Sequence, residues 1–253
     1  ALAFRRTCPR GGGSSSGARA LSLEAPKSPA NRPKRHENNK GGGSVHDRRS
    51  WSFLVLVAWM TWITPGEGAG VRLSAVGDIM VHDPQIGAAW SEKLRSYDFL
   101  PQMAPLMPML ASAEITVGNL ETTFGGPQRK YTGYPCFSTP DTLAPALREA
   151  GFDVVFTANN HCLDRGKGGA LRTLDVLAAA GLASTGTFAS SDRPPLILER
   201  GGLSFAFLAY TYGTNGIKVP KDAPWMVNLL DEKLLSADLA RCVSADVRVV
   251  AFH

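Results

Sequence analysis

Short apolar segments alternate with helix-patterned segments over most of this chain, and this alternation constrains its fold more than any other feature. Strand-like apolar runs cover residues 71–76, 114–121, 153–158, 203–210 and 247–252. Helical patterns or helix-end signals cover residues 99–113, 139–149, 168–180 and 229–240. Alternation of strands and helices favours an α/β domain built from layers of sheet and helix.

Local signals refine this outline. Residues 196–198 and 203–210 flank Gly201-Gly202, which predicts a β-hairpin. Thr139 followed by Pro140 predicts a helix N-cap and first turn, and Gly151 predicts the end of that helix. Three prolines, at 101, 105 and 108, break the helical pattern of residues 99–113 into short pieces.

The basic charge of the chain lies outside this α/β segment. The formal net charge is +5, but the excess of Lys and Arg is concentrated in residues 1–50, and acidic residues slightly outnumber basic ones after residue 70. A nucleic-acid partner therefore has no electrostatic support in the domain at residues 71–253. Residues 1–50 are rich in Gly, Ser and Pro and lack apolar periodicity, which predicts a disordered leader.

A nucleic-acid-binding arm is the alternative interpretation of that leader. The chain begins at Ala1, and one hypothesis is that translation starts near Val45, so that residues 1–44 are not translated.

An apolar run at residues 51–63 follows Arg48-Arg49 and precedes Pro65-Gly66. The run is shorter than the roughly 20 residues of a membrane-spanning helix, and its basic flank is typical of a secretory signal peptide. We therefore predict that residues 51–70 are a signal peptide, with an uncleaved signal anchor in the membrane as the second interpretation. Either one places the domain outside the cytoplasm, in the cell envelope or the extracellular space.

Four predicted strands end in residues with metal-ligand or acid–base chemistry. In chain order these are Asp78, then Asn119 and Glu121, then Asn159, Asn160 and His161, and finally His253. Ligands gather at the carboxyl ends of strands in open α/β sheets, so these residues are candidates for one site. Carboxylate, imidazole and amide oxygen ligands suit a divalent ion such as Mn, Zn, Fe or Mg.

Each member also has an ordinary structural interpretation. Asp78 could close a turn or cap a helix, and Asn119 and Glu121 could satisfy backbone groups of a loop. Asn159-Asn160-His161 directly after an apolar strand indicates function more strongly. His82 and Asp83 are interpreted as a solvated loop.

Together, these motifs resemble the CapA family of capsule synthesis proteins, also called PgsA-type and linked to poly-γ-glutamate. The matching motifs are Gly77-Asp78-Ile79-Met80, Gly118-Asn119-Leu120-Glu121-Thr122, the segment from Thr157 to Gly166, and Phe252-His253. The resemblance covers residues 71–253 and implies a fold related to the calcineurin-like metallophosphoesterases, a layered α/β/β/α sandwich. It also implies a C-terminally incomplete domain, because a further Gly-His-x-x-His-like element of the family is absent.

The resemblance assigns roles to the strand-end residues. It implies that Asp78, Glu121, Asn160 and His253 are metal ligands, with Asn119 as a weaker alternative to Glu121. His161 is the candidate general acid or phosphate-contacting group, and Asp164 is its catalytic companion, which orients the His161 loop. Asn119 and Asn159 line the site, and Met80 stands where the phosphoesterases carry a histidine ligand.

These roles lead to three functional hypotheses. The first is an exported metal-dependent hydrolase or transferase that acts on a phosphoester or on the γ-amide polymer. The second is a non-catalytic, membrane-anchored component of a complex that synthesises or exports the capsule polymer. The third is a divergent exported domain that keeps the fold and has lost the site.

Overall fold

The structure is a computed structural model that describes residues 70–253. The leader predicted for residues 1–50 lies outside the described residues, as do residues 51–69 of the signal peptide or anchor predicted for residues 51–70. Within residues 70–253 the chain forms nine strands and six helices. They are β1 (Leu73–Ile79), α1 (Asp83–Ala89), β2 (Trp90–Ser91), β3 (Ser96–Tyr97), α2 (Leu100–Met103), α3 (Met107–Leu110), β4 (Ile115–Leu120), α4 (Leu143–Ala150), β5 (Val154–Phe156), α5 (Gly166–Ala179), β6 (Ala183–Thr185), β7 (Leu196–Arg200), β8 (Leu203–Tyr210), α6 (Glu232–Arg241) and β9 (Val247–Phe252).

The strands form two main sheets. The first sheet has the order β1-β4-β5-β6, and all of its strands are parallel. The second has the order β7-β8-β9, in which β7 and β8 form an antiparallel hairpin and β9 runs parallel to β8. Strands β2 and β3 form a separate two-stranded ribbon.

The two sheets pack face to face through an apolar core. Val117 and Phe156 of the first sheet belong to the same buried cluster as Phe205 and Phe207 of the second. Alternate residues of β8 point the other way, where Leu208 packs with Leu235 of α6. This alternation is what a strand buried on both faces requires, since successive side chains point to opposite sides.

The outer face of the first sheet is covered by the helices that precede and follow its strands. The buried apolar cluster on this face contains Val155 of β5 together with Ile86 of α1, Leu147 of α4 and Leu177 of α5. Helix α6 covers the second sheet, so the layers run helix, sheet, sheet, helix. The α/β/β/α sandwich predicted from the resemblance is confirmed.

Several local predictions were wrong in detail. Helix α4 begins at Leu143 with Thr142 at the N-cap position, because Thr139 instead bonds to the neighbouring loop through its backbone N–H and its hydroxyl. His82 and Asp83 are not a solvated loop but the start of α1, and the Asp83 carboxylate accepts a hydrogen bond from the Gly133 N–H. The last helix starts three residues later than predicted, at Glu232, and β6 was not predicted at all.

Other boundaries are confirmed. Gly151 caps α4 in the left-handed conformation, with φ 109°, and the β7–β8 hairpin turns at Gly201-Gly202. The proline-containing segment forms only the two short helices α2 and α3, as predicted. Across residues 70–253, every helix is too short or too polar to cross a bilayer.

Candidate metal centre

The ends of four strands meet at one edge of the sandwich. Asp78 near the end of β1 lies in register with Asn119 near the end of β4, and Glu121 follows directly. A bulge between Ala75 and Asp78 shifts the register there, and bulges commonly re-aim side chains beside sites. His253 follows β9, so the second sheet contributes to the same edge.

Asp78, Glu121 and His253 form the centre of this group. One ligand atom from each lies within 4.8 Å of the others. His253 Nδ1 is 3.6 Å from Asp78 Oδ1, and His253 Nε2 is 3.7 Å from Glu121 Oε1. The imidazole therefore stands between two carboxylates, one from each of two neighbouring strands.

The charges of this trio depend on one another. Burial, followed by the nearby Asp78 carboxylate, raises the pKa of Glu121 to about 7. The interaction with Asp78 raises the pKa of His253, and the interaction with His253 lowers the pKa of Asp78. The arrangement thus favours a positive charge between the two carboxylates.

The donors at this position fit a divalent cation. Glu121 Oε2 is buried and has no hydrogen-bond partner, although a buried carboxylate oxygen normally accepts a bond. Two carboxylates, an imidazole and a nearby amide oxygen match the ligand preferences of Zn, Mn, Fe or Mg. A cation here would occupy the unpaired oxygen and offset the charge that makes Glu121 hard to ionise.

Asn160 brings the amide oxygen. Its Oδ1 lies 2.8 Å from His253 Nε2, and its Nδ2 donates to Asn215 Oδ1 at 3.1 Å. The side chain therefore joins the loop after β5 to two residues of the second-sheet half of the sandwich. The structure places Asn160 beside the Asp78–Glu121–His253 trio.

Asn119 and Asn159 support the trio through hydrogen bonds. Asn119 Nδ2 donates to Asp78 Oδ1 at 2.7 Å and lies 3.1 Å from His253 Nδ1. Asn119 Oδ1 accepts from the fully buried Asn159, whose own Oδ1 accepts from the His161 N–H at 3.1 Å. Each of these two amides both donates and accepts hydrogen bonds, so both residues hold their neighbours in place.

His161 lies at the side of the trio and is held by Asp164. His161 Nδ1 is 2.8 Å from Asp164 Oδ2, while His161 Nε2 is 3.8 Å from Glu121 Oε1. The Asp164 side chain is 1% exposed and also accepts from the Phe137 N–H at 2.6 Å. Asp164 therefore lies behind the imidazole, where it can orient the ring but cannot contact a substrate.

Two residues near the site were not identified from the sequence. The Phe137 ring meets the His161 ring edge-on at 4.7 Å, and Asn215 Nδ2 is 3.3 Å from His161 Nε2. Asn215 had a usable signal, since it lies in the polar run Thr211 to Gly216 that follows the apolar strand β8. Phe137 lies in a long loop without any local pattern.

Met80, two residues beyond Asp78, is 37% exposed. Its thioether is a soft donor and a poor ligand for hard divalent ions. Met80 itself therefore supplies no imidazole at the position where the resemblance places a histidine ligand.

Comparisons with known proteins identify the family to which the chain belongs. Residues 72–253 match the family described as "Bacterial capsule synthesis protein PGA_cap". Two relatives from Sinorhizobium fredii (strain NBRC 101917 / NGR234), "Uncharacterized protein y4sH" and "Uncharacterized protein y4uA", are each 30% identical over 124 residues. That alignment covers 46% of this chain and 24% of each relative, so the chain spans about a quarter of their length. The match over residues 72–253 shows that the chain belongs to the family of bacterial capsule synthesis proteins.

Proposed function

We propose that this protein is an exported component of capsule or poly-γ-glutamate biosynthesis with a metal-dependent hydrolase-type site. The observation that carries the proposal is the trio of Asp78, Glu121 and His253, whose ligand atoms lie within 4.8 Å of one another. The unpaired buried Glu121 Oε2 supports a cation at this place. Export is supported by the basic-then-apolar pattern of residues 48–63.

The ligands for a divalent ion would be Asp78, Glu121 and His253, with Asn160 as the amide donor. When bound, such an ion polarises a phosphoryl or carbonyl oxygen and lowers the pKa of a bound water. That chemistry suits either a phosphoester or the γ-glutamyl amide of the polymer. If the substrate is the γ-glutamyl amide, the protein would act directly on the capsule polymer.

His161 is the residue placed to move a proton. Its Nδ1 is held by Asp164, so Nε2 faces the space beside Glu121. As an imidazolium it would donate the Nε2 proton to the leaving group, and the Asp164 carboxylate would stabilise the charged ring. Asn159 fixes the backbone of this loop by accepting from the His161 N–H.

Metal analysis and calorimetry on the full chain test the site. We expect the wild-type protein to bind Mn²⁺ or Zn²⁺ and to hydrolyse a model phosphodiester or poly-γ-glutamate in a chelator-sensitive manner. Asp78→Asn and Glu121→Gln remove ligands and should weaken binding by at least about 100-fold, since each deletes a charged donor at the centre. Asp175→Asn, at an exposed carboxylate of α5, is the matched control and should leave binding unchanged. Absence of metal binding, or turnover that chelator does not affect, would contradict the proposal.

A non-catalytic role is the second candidate, and Met80 is the observation that favours it. The missing imidazole at this position removes one ligand of a two-metal site, so the protein could hold the polymer or a synthesis and export complex without turnover. A membrane anchor through residues 51–63 would then be essential. In that case Asp78→Ala and His161→Ala leave capsule output intact, while deletion of residues 51–63 abolishes it; the reverse pattern supports the enzyme.

A further inference from the structure

Asn215 connects the two candidate functional groups of the site. It lies in the loop after β8, on the second-sheet side, and its side chain reaches the loop after β5. Its Oδ1 accepts from Asn160 Nδ2 at 3.1 Å, and its Nδ2 lies 3.3 Å from His161 Nε2. One amide group thus contacts both the predicted amide ligand and the predicted proton donor.

The contact with Asn160 determines which end of the Asn160 amide faces the centre. A carboxamide has a donor end and an acceptor end of nearly equal size, so the partners around it decide its orientation. On one side, His253 Nε2 lies 2.8 Å from Asn160 Oδ1, and on the other, Asn215 offers only its acceptor oxygen to Asn160 Nδ2. Rotating the Asn160 amide by half a turn would bring the two oxygens of Asn160 and Asn215 together, and would point an NH₂ group at the centre.

We propose that Asn215 is a positioning residue that keeps the carbonyl oxygen of Asn160 directed toward Asp78, Glu121 and His253. The effect of this orientation on metal binding rests on the proposed function, because only a cation site needs an oxygen rather than an NH₂ group at that position. Its structural content, the orientation of the Asn160 amide, stands independently of any metal. The second contact, to His161 Nε2, occupies the other end of the Asn215 amide.

The loop that carries Asn215 is built to hold this side chain in place. Asn215 has a left-handed backbone, with φ 50°, a conformation in which Asn is favoured among residues with a side chain. The Tyr212 N–H donates to the His253 carbonyl at 2.9 Å, which fastens the loop to the end of β9. The Thr214 hydroxyl donates to the Ile217 carbonyl at 2.5 Å and closes the turn around Asn215.

Two substitutions separate the contacts of Asn215. Asn215→Asp keeps an acceptor for Asn160 Nδ2 and loses the donor to His161, whereas Asn215→Gly removes both contacts and tolerates the left-handed backbone. Lys218→Ala, at an exposed position of the same loop, is the control. Mn²⁺ affinity of the full chain is measured by calorimetry, and the side-chain NH₂ signals of Asn160 are followed by NMR in the metal-free protein.

We expect Asn215→Gly to weaken Mn²⁺ binding about tenfold, the usual scale for residues that orient ligands. It should also shift the Asn160 NH₂ signals and speed their exchange with solvent. Lys218→Ala should leave the Asn160 NH₂ signals unchanged and the Mn²⁺ affinity within about threefold of the wild type. Asn215→Asp should also keep the Asn160 NH₂ signals, and its Mn²⁺ affinity should be within about threefold of the wild type or higher, because of the added charge.

The inference is overturned if Asn215→Gly matches the wild type in both measurements, or if Asn215→Asp loses affinity as strongly as Asn215→Gly. If the wild-type protein itself binds no Mn²⁺, the proposed function fails, and the NMR measurement alone decides the role of Asn215. Altered Asn160 signals in Asn215→Gly then support the orienting role, and unaltered signals reject it.

Discussion

Two carboxylates and one imidazole lie close together at the strand ends, and the charge of each group changes the pKa of the others. Glu121 is buried next to Asp78, so its ionised form is disfavoured and its pKa rises to about 7. Asp78 is more exposed and interacts with His253, so its pKa is lowered. At the scale of single residues, a cation bound at the centre would therefore replace the repulsion between the Asp78 and Glu121 carboxylates by the attraction of both to the cation.

The pKa of Glu121 predicts how the metal-free protein responds to pH. Its folded-state pKa of about 7 lies above its ordinary value of 4.5. The corresponding stabilisation is fully present below pH 4.5 and is lost as the pH rises through 7. Glu121→Gln cannot ionise, so in chelator it should match the wild type near pH 4.5 and exceed it at pH 8, by on the order of 2 kcal/mol in free energy of unfolding.

Denaturant unfolding at both pH values, with EDTA present, measures this difference. Asp175→Asn again serves as the control and should parallel the wild type across the range. A Glu121→Gln protein that gains nothing between pH 4.5 and pH 8 would show that Glu121 ionises without cost in the folded state.

The helices begin at residues whose capping hydrogen bonds differ from one helix to the next. Helix α6 has the clearest start, since Asp231 adopts an extended backbone and its carboxylate accepts from the Leu234 N–H at 2.8 Å. Helix α4 has no side-chain cap at Thr142 and depends on its buried apolar face instead. Helix α6 covers the second sheet, so its stability supports the layer from which His253 emerges.

Asp231→Ala tests the cap of α6. The substitution leaves the Leu234 N–H without its partner, and we expect a loss of about 1 kcal/mol in free energy of unfolding. Asp231→Ser supplies another oxygen acceptor and should retain most of the stability. Thermal and denaturant unfolding measure both variants; equal stability of the Ala and Ser variants would contradict the capping role.

The site is assembled from both sheets, so the packing between them decides whether it forms. Asp78 lies near the end of a strand of the first sheet, and Glu121 and Asn160 follow strands of that sheet, whereas His253 and Asn215 follow strands of the second. The sheets are held together by the apolar core that includes Phe156 and Phe207. At the scale of the whole molecule, metal affinity should depend on this interface.

Phe207→Leu tests that dependence. The smaller side chain leaves space between the sheets and should cost about 1–2 kcal/mol of stability. It should also weaken Mn²⁺ binding severalfold, because the second sheet carries His253. Leu147→Val, in α4 on the far side of the first sheet, should reduce stability to a similar extent while leaving Mn²⁺ affinity near the wild-type value. Equal effects of the two variants on affinity would contradict the argument.

Much of the fold follows from local patterns. The apolar run at 153–158 and the alternating run at 247–252 became β5 and β9 because burial on the faces of a sheet requires such residues. Thr139 shows the limit of local reasoning. This residue type is a good N-cap, but Thr139 forms loop hydrogen bonds instead, and the helix begins three residues later than predicted. Strand β6 is only three residues long and has no periodicity to detect.

The residue types of the centre were determined by the sequence alone, since sequence patterns reveal the strands at whose ends they lie. These residues are Asp78, Glu121, Asn160, His161 and His253. Their geometry was decided only by the tertiary structure. The position of Asp164 behind His161, the bracing by Asn119 and Asn159, and the contact of Asn215 with Asn160 depend on register and on the packing of two sheets. Local periodicity records which side of a strand is buried, but a distance between side chains from different sheets is a property of the assembled core.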